Sequence, residues 1–192
     1  MERNSLNNQG YKLESQIREA FGRVTYTQTC HEKKIQRLLK INNNIKVWQI
    51  ILSAVTTGSF LASLITSEKI SGIIGALFSL TLLILNTYNK NFILAETAQK
   101  HQQASDLLWK IREEYVSLLT DFEILEPEKI MGKRDELQER TAEVYSNFPR
   151  TDPKSYAEAQ KALKTEEEQT FSEKEIDIML PNSIRRCIRD IT

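Results

Sequence analysis

Two uncharged stretches decide the fold: Val47–Ser67, VWQIILSAVTTGSFLASLITS, and Ile70–Asn89, ISGIIGALFSLTLLILNTYN. A helix needs about 20 residues to cross a hydrocarbon core of about 30 Å, and each stretch has that length. A soluble core helix this long normally carries a charge on the face that meets water. Neither stretch has one. The sequence therefore predicts two transmembrane helices. Only Thr66, Ser67, Glu68 and Lys69 can connect them, so they are antiparallel neighbours. Lys33, Lys34, Arg37, Lys40 and Lys46 precede the first span, Lys90 and Lys100 follow the second, and Lys69 alone lies in the loop. Basic residues favour the cytoplasmic side, which puts both termini in the cytoplasm. Trp48 and Tyr88 sit at the cytoplasmic ends, where amphipathic rings favour the headgroup region.

Composition explains why averages mislead here. The 192 residues carry 26 Lys plus Arg and 26 Asp plus Glu, which gives no net charge to attract nucleic acid or an acidic partner. The charge is concentrated in the flanks, and the expected organisation is a cytosolic N-terminal helix (1–46), a transmembrane hairpin (47–89) and a cytosolic helical region (90–192). Direct nucleic-acid binding is not expected. Cys30 and Cys187, far apart in helical patterns, read as free thiols in a reducing compartment rather than a disulfide framework. The first residues lack the apolar core of a signal peptide, so insertion is expected to be directed by the internal spans.

Inside the spans the polar residues are grouped. At 100° per residue, Gln49, Ser53, Thr56, Ser63 and Ser67 share one face of the first helix, interrupted by Phe60. On the second, Gly72, Gly75, Ala76, Ser79 and Asn86 share a face. Gly72-x-x-x-Ala76 and Gly75-x-x-x-Ser79 have the small-residue spacing that lets helix backbones approach. These residues are candidates for packing within the hairpin, or for lining a path between several copies. A pore of Ser and Thr would be weakly selective, lacking a charged ring. Gln49 and Asn86 are the best candidates for an interhelical hydrogen bond.

The flanks read as amphipathic helices. Leu13, Ile17, Ala20 and Val24, broadened by Phe21, mark a long helix from about Lys12 toward the first span, which either continues straight through Ile35–Ile41 into the membrane or kinks at its weak point, Asn42-Asn43-Asn44. After the second span, Ala104, Leu108, Ile111, Tyr115, Leu118, Phe122 and Leu125 form a heptad seam. Its partner is either the N-terminal helix or another subunit. Pro127 opens a further helix with the stripe Ile130, Arg134, Leu137, Thr141, Val144 and Phe148. Asp152 and Pro153 open the next, with Tyr156, Ala159 and Leu163, followed by the solvated acidic run Glu166–Glu168. Ser172-x-x-Glu175 is a capping box for a last helix that Pro181 stops. Arg185, Arg186 and Arg189 make a weakly basic tail.

The chain carries no phosphate-loop or dinucleotide spacing among its six glycines and no metal-ligand spacing among its two Cys and two His. No cofactor and no enzymatic activity are expected. His101 extends the heptad seam upstream, and His31 lies on the N-terminal helix's apolar stripe. Both fall about 20 Å below the membrane along their helices. They are placed to meet, as hydrogen-bonded core residues, a metal pair or a pH-sensitive contact.

One resemblance emerges from these residues. Tyr26, His31, the two-span hairpin, Ala98-x-x-His101-x-x-Ala104, Leu108, Ile111-Arg112-x-Glu114-Tyr115 and Leu118-Leu119-x-Asp121 resemble the SLATT domain proteins. Phe148-Pro149, Tyr156-x-x-Ala159 and Ile176-Asp177-x-x-Leu180-Pro181 resemble the branch associated with reverse-transcriptase operons. The resemblance spans about residues 11 to 186. It implies an all-α membrane protein: a two-transmembrane hairpin whose long cytosolic helices pack as a bundle or coiled coil. It further implies an inner-membrane effector of antiviral defence that oligomerises and breaches the membrane. The signal would come from a nucleotide-signalling or reverse-transcriptase partner encoded nearby. The alternative is a membrane-anchored scaffold that recruits a soluble partner through its cytosolic helices.

Overall fold

The computed structural model describes residues 2–66, 69–91 and 93–186, whose regular structure is all helical, with no strand among them. Six α-helices follow in order: α1 (Glu2–Thr66), α2 (Lys69–Asn91), α3 (Leu94–Thr120), α4 (Pro127–Asn147), α5 (Pro153–Lys164) and α6 (Glu173–Met179), then a 3-10 turn (Asn182–Ile184). Ser67 and Glu68 of the expected loop, together with Cys187 and Arg189, lie outside the described residues.

Helix α1 is unbroken over 65 residues. The helical hydrogen-bonding pattern runs through Asn42-Asn43-Asn44 without a break, as the straight continuation allows. Packed neighbours on both sides outweigh the weak helix propensity of Asn, and Asn42 itself is buried in the contact line. The first part of α1 packs on α3. His31 meets His101, Glu32 meets Ser105 and Gln28 meets Arg112, so the two helices run antiparallel. Helix α4 runs alongside both. Its Arg134 reaches Gln16 and its Tyr145 reaches Thr27, which makes it parallel to α1.

These three helices enclose one core. Ile17, Ala20 and Val24 of α1 meet Ala104, Leu108, Ile111, Tyr115 and Leu118 of α3 and Ile130, Leu137 and Val144 of α4. The heptad seam is thus buried within a single chain, on α1 and α4. Helix α3 stops at Thr120, so Phe122 and Leu125 reach the core from the following turn and are only partly buried. Helix α5 lies across α1 on small residues, Ser155, Ala159 and Ala162. Tyr156 stays largely exposed while its ring lies 4.9 Å from that of Tyr26.

Local signals act as their chemistry requires. Asp152 accepts a hydrogen bond from the Ser155 backbone N–H at the start of α5, and Ser172 and Glu175 form a reciprocal capping box on α6. The acidic run is not a helix face. Helix α5 ends at Lys164, Glu167 takes a positive φ of 50°, and Glu168 turns back to pair with Lys33 at 2.7 Å.

The second part of α1 packs on α2. Gln49 meets Asn86, Ser59 meets Gly75 and Ser63 meets Gly72, an antiparallel pair. Here large apolar side chains point outward: Ile50, Phe60 and Leu64 on α1, Ile73, Leu77 and Leu83 on α2. Among the described residues α1 is long and apolar enough to cross a membrane, and only 6% of its most apolar window is buried; the apolar part of α2, Gly72–Tyr88, is shorter.

The three-helix core predicts a sharp contrast on α3. Leu108→Ala should cost about 2–5 kcal/mol, because the emptied site cannot collapse fully. Trp109→Ala, on the outer face, should stay within about 0.5 kcal/mol. Denaturant titration of the chain in detergent, followed by far-ultraviolet circular dichroism, measures both.

Candidate functional site

The residues singled out from sequence fall into two groups on one helix. In the apolar pair, α1 faces α2 along a line of three-and-four spacing: Ile45, Gln49, Leu52, Thr56, Ser59 and Ser63, all buried or half-buried. Gln49 Nε2 donates to Asn86 Oδ1 at 2.9 Å. Thr56 Oγ1 donates to its own helix at Leu52 O, 2.7 Å away, and so keeps its hydroxyl satisfied without a partner helix. The approach is close at Gly75 and ordinary at Gly72. A Cβ added at Gly75 would sit 3.3 Å from Ser59 Cβ, and one at Gly72 would sit 3.5 Å from Ser63 Oγ.

The expected polar faces are therefore split. Gln49, Thr56, Ser63, Gly72, Gly75 and Asn86 come together between the helices. Ser53, Ala76 and Ser79 are exposed and stand off the contact line, although Ser53 lines a groove beside Gln49 and Asn86. A helix–helix contact is a narrow line, and Ser53 lies about 80° from its centre near Leu52 and Ser63. Ser59 was not singled out. Extending the three-and-four spacing of Gln49 and Thr56 by one step would have found it.

In the bundle, His31 and His101 bring their Nδ1 atoms within 2.9 Å. One ring donates and the other accepts, which two neutral imidazoles can do and two imidazoliums cannot. Both rings are almost fully enclosed, 4% and 1% exposed. Burial is the main cause that lowers His31, helped by its neighbour His101, to about 4. Burial also lowers His101, with the Lys34 ammonium acting in the same direction and Asp152 against it. Burial also pushes the Cys30 thiol up to about 11, so it is an inert side chain rather than a nucleophile.

Beside the pair lies an ionic cluster that the sequence did not advertise. Arg37 reaches Asp152 and Glu158 at 2.7 Å, and Lys34 also pairs with Asp152. Burial works to raise the Asp152 carboxyl, but hydrogen bonds from Lys34, the Ser155 backbone and Arg37 hold it well below the usual range. The cluster fastens α5 to α1 between the histidines and the apolar segment. Lys34 and Arg37 on α1 meet Asp152 and Glu158 of α5 more than a hundred positions away, so no local spacing announces the pairing. Among the described residues no group of three or more His, Cys, Asp or Glu could hold a metal, so the histidines stand as a pair.

The sequence matches, over residues 13–175, the family described as SMODS and SLOG-associating 2TM effector domain family 4. The chain belongs to this family. The matched region of this SLATT protein takes in both groups of residues, from the N-terminal stripe to the capping box of α6. No curated protein and no solved structure matches the chain. An effector domain of this family associates with a membrane, in keeping with the long apolar helix.

The histidine pair makes the bundle sensitive to mild acid. Well above pH 6.5 both rings are neutral in the folded and the unfolded chain, and the stabilisation is complete. As pH falls toward 4 the unfolded chain takes up protons that the folded pair refuses, so stability is lost. Glu114, held down to about 2 chiefly by Arg140, and Asp152 keep their charges throughout this window. The melting temperature in detergent should drop between about pH 7 and pH 4.5, and His31→Gln should flatten that slope.

Proposed function

We propose that the chain is a membrane-embedded effector of bacterial antiviral defence, which assembles with further copies and permeabilises the inner membrane on a partner-derived signal. The observation that carries this reading is the reversal of polarity along α1. From Ile17 to Leu38 the buried line is mostly apolar, whereas from Gln49 to Ser63 it is mostly polar or small and the outer face is apolar. Water rewards the first arrangement and hydrocarbon the second. Helix α1 beyond about Val47 and helix α2 are then the two spans of a hairpin, with both termini in the cytoplasm.

Ser53 and Ser79, left on the outside of the hairpin, are the side chains available to neighbouring copies. Polar groups facing lipid gain by meeting one another across an assembly interface. A signal acts by preferring one assembly over another, and only its differential affinity counts. The tail motifs around Phe148-Pro149 and Ile176-Asp177 suggest that the signal comes from a reverse-transcriptase or nucleotide-signalling partner encoded nearby. A scaffold reading is favoured by one feature: Trp109 and Val116 sit exposed one heptad apart on α3, a spot for a soluble protein.

Cells that express the chain with its genomic neighbours test the proposal. A voltage-sensitive dye should report loss of membrane potential after phage challenge, and Ser53→Leu should abolish that loss while leaving expression intact. Protection with the potential preserved would favour the scaffold.

A further inference from the structure

A cavity of about 390 Å³ opens between α1 and the connection from α4 to α5. The volume lies in the range of small-molecule sites. Phe148 and Pro149 form an apolar wall. Thr27 and Tyr145 bring two hydroxyls, 3.1 Å apart, to another side, His31 lines the interior, and Arg150 stands among the lining residues with its side chain exposed.

Two of these residues have unused capacity. Arg150 takes part in no ion pair or side-chain hydrogen bond among the described residues, although Asp152, two residues on, pairs with Lys34 and Arg37. His31 uses Nδ1 for His101, and its Nε2 bonds no described residue. That nitrogen is not among the sealed, unsatisfied polar atoms, so it opens on the space that His31 lines. A cation at the rim, an apolar wall and a hydrogen-bonding imidazole inside select a particular shape and charge.

We infer that this cavity binds a small aromatic anion, its ring against Phe148 and Pro149, its acidic group on Arg150 and an acceptor at His31 Nε2. Arginine suits the acidic group because its planar fork matches carboxylate and phosphate oxygens. Occupancy also reaches the helix seam. When Nε2–H donates to the ligand, Nδ1 of His31 must accept, and His101 Nδ1–H must donate across the α1–α3 contact. The ligand thereby selects one tautomer of a pair that joins two helices. The site stands apart from membrane permeation, since its readout is binding.

The experiment uses the full chain in phosphatidylcholine nanodiscs, whose neutral lipid does not attract anions. Calorimetric titration with 1-naphthyl phosphate should show saturable binding. Binding of 1-naphthol and of inorganic phosphate should each be weaker by at least about tenfold. Arg150→Gln, an exposed change that breaks no contact, should weaken 1-naphthyl phosphate by about tenfold or more. The ring-nitrogen resonances of His31 should shift on binding in the original chain. Equal affinity in Arg150→Gln, no saturable heat at about 1 mM probe, uptake matched by empty nanodiscs, or phosphate binding as well as the naphthyl ester would each overturn the assignment.

Discussion

A single contact line on α1 organises the molecule. It starts at Ile17 in the bundle, passes His31, Ile35, Leu38 and Asn42, and continues through Gln49, Leu52 and Ser63. Helix α3 covers the first part and α2 the second, each antiparallel to α1. The geometry is the same throughout, a spacing of three and four that keeps one side of a straight helix against its partner. What changes is the chemistry of the line. Large apolar side chains fill it in the bundle, where exclusion of water drives packing. Small and amide-bearing side chains fill it beyond Asn42, where close approach and hydrogen bonding hold the helices together. The core, the ionic cluster and the glycine contacts all depend on α1 presenting that side without interruption.

The same line explains what could be read in advance. Uncharged length marked the apolar stretches, and heptad spacing marked α3, because both are local patterns within one helix. Pro127, Asp152 with Pro153 and Ser172 with Glu175 marked helix starts, since caps are decided by a few neighbouring residues. Partner choice was not legible. The seam from Ala104 to Leu118 fits a second subunit as well as α1, and only the fold shows α1 occupying it. The polar face of the first stretch is wider than the line that meets α2. Hydrophilicity grouped Ser53 with Gln49 and Thr56, whereas the contact line is set by shape and includes Leu52 and Ser59. The pairing of Asp152 with Lys34 and Arg37 joins residues more than a hundred positions apart, beyond the reach of any spacing rule.

The histidine pair and the ionic cluster share a short stretch of α1, residues 31 to 37. Opposite charges fasten α5 there, while uncharged rings fasten α3. The two fastenings respond to different agents. Salt screens Arg37, Lys34 and their carboxylates, which are partly exposed, whereas it scarcely reaches the enclosed imidazoles. Acid acts on the rings first, because Asp152 holds its charge to far lower pH.

The unbroken course of α1 has a mechanical consequence. At about 1.5 Å per residue its 65 residues make a rod roughly 95 Å long. A rod with no joint carries torque from one end to the other, so its two halves cannot turn independently. The return strand of the molecule differs: between α2 and α3 the backbone leaves helical geometry, with Ile93 at φ −71° and ψ 68°. A rearrangement of the bundle is therefore shared with the far end along α1, and among the described residues the returning path changes direction at Ile93.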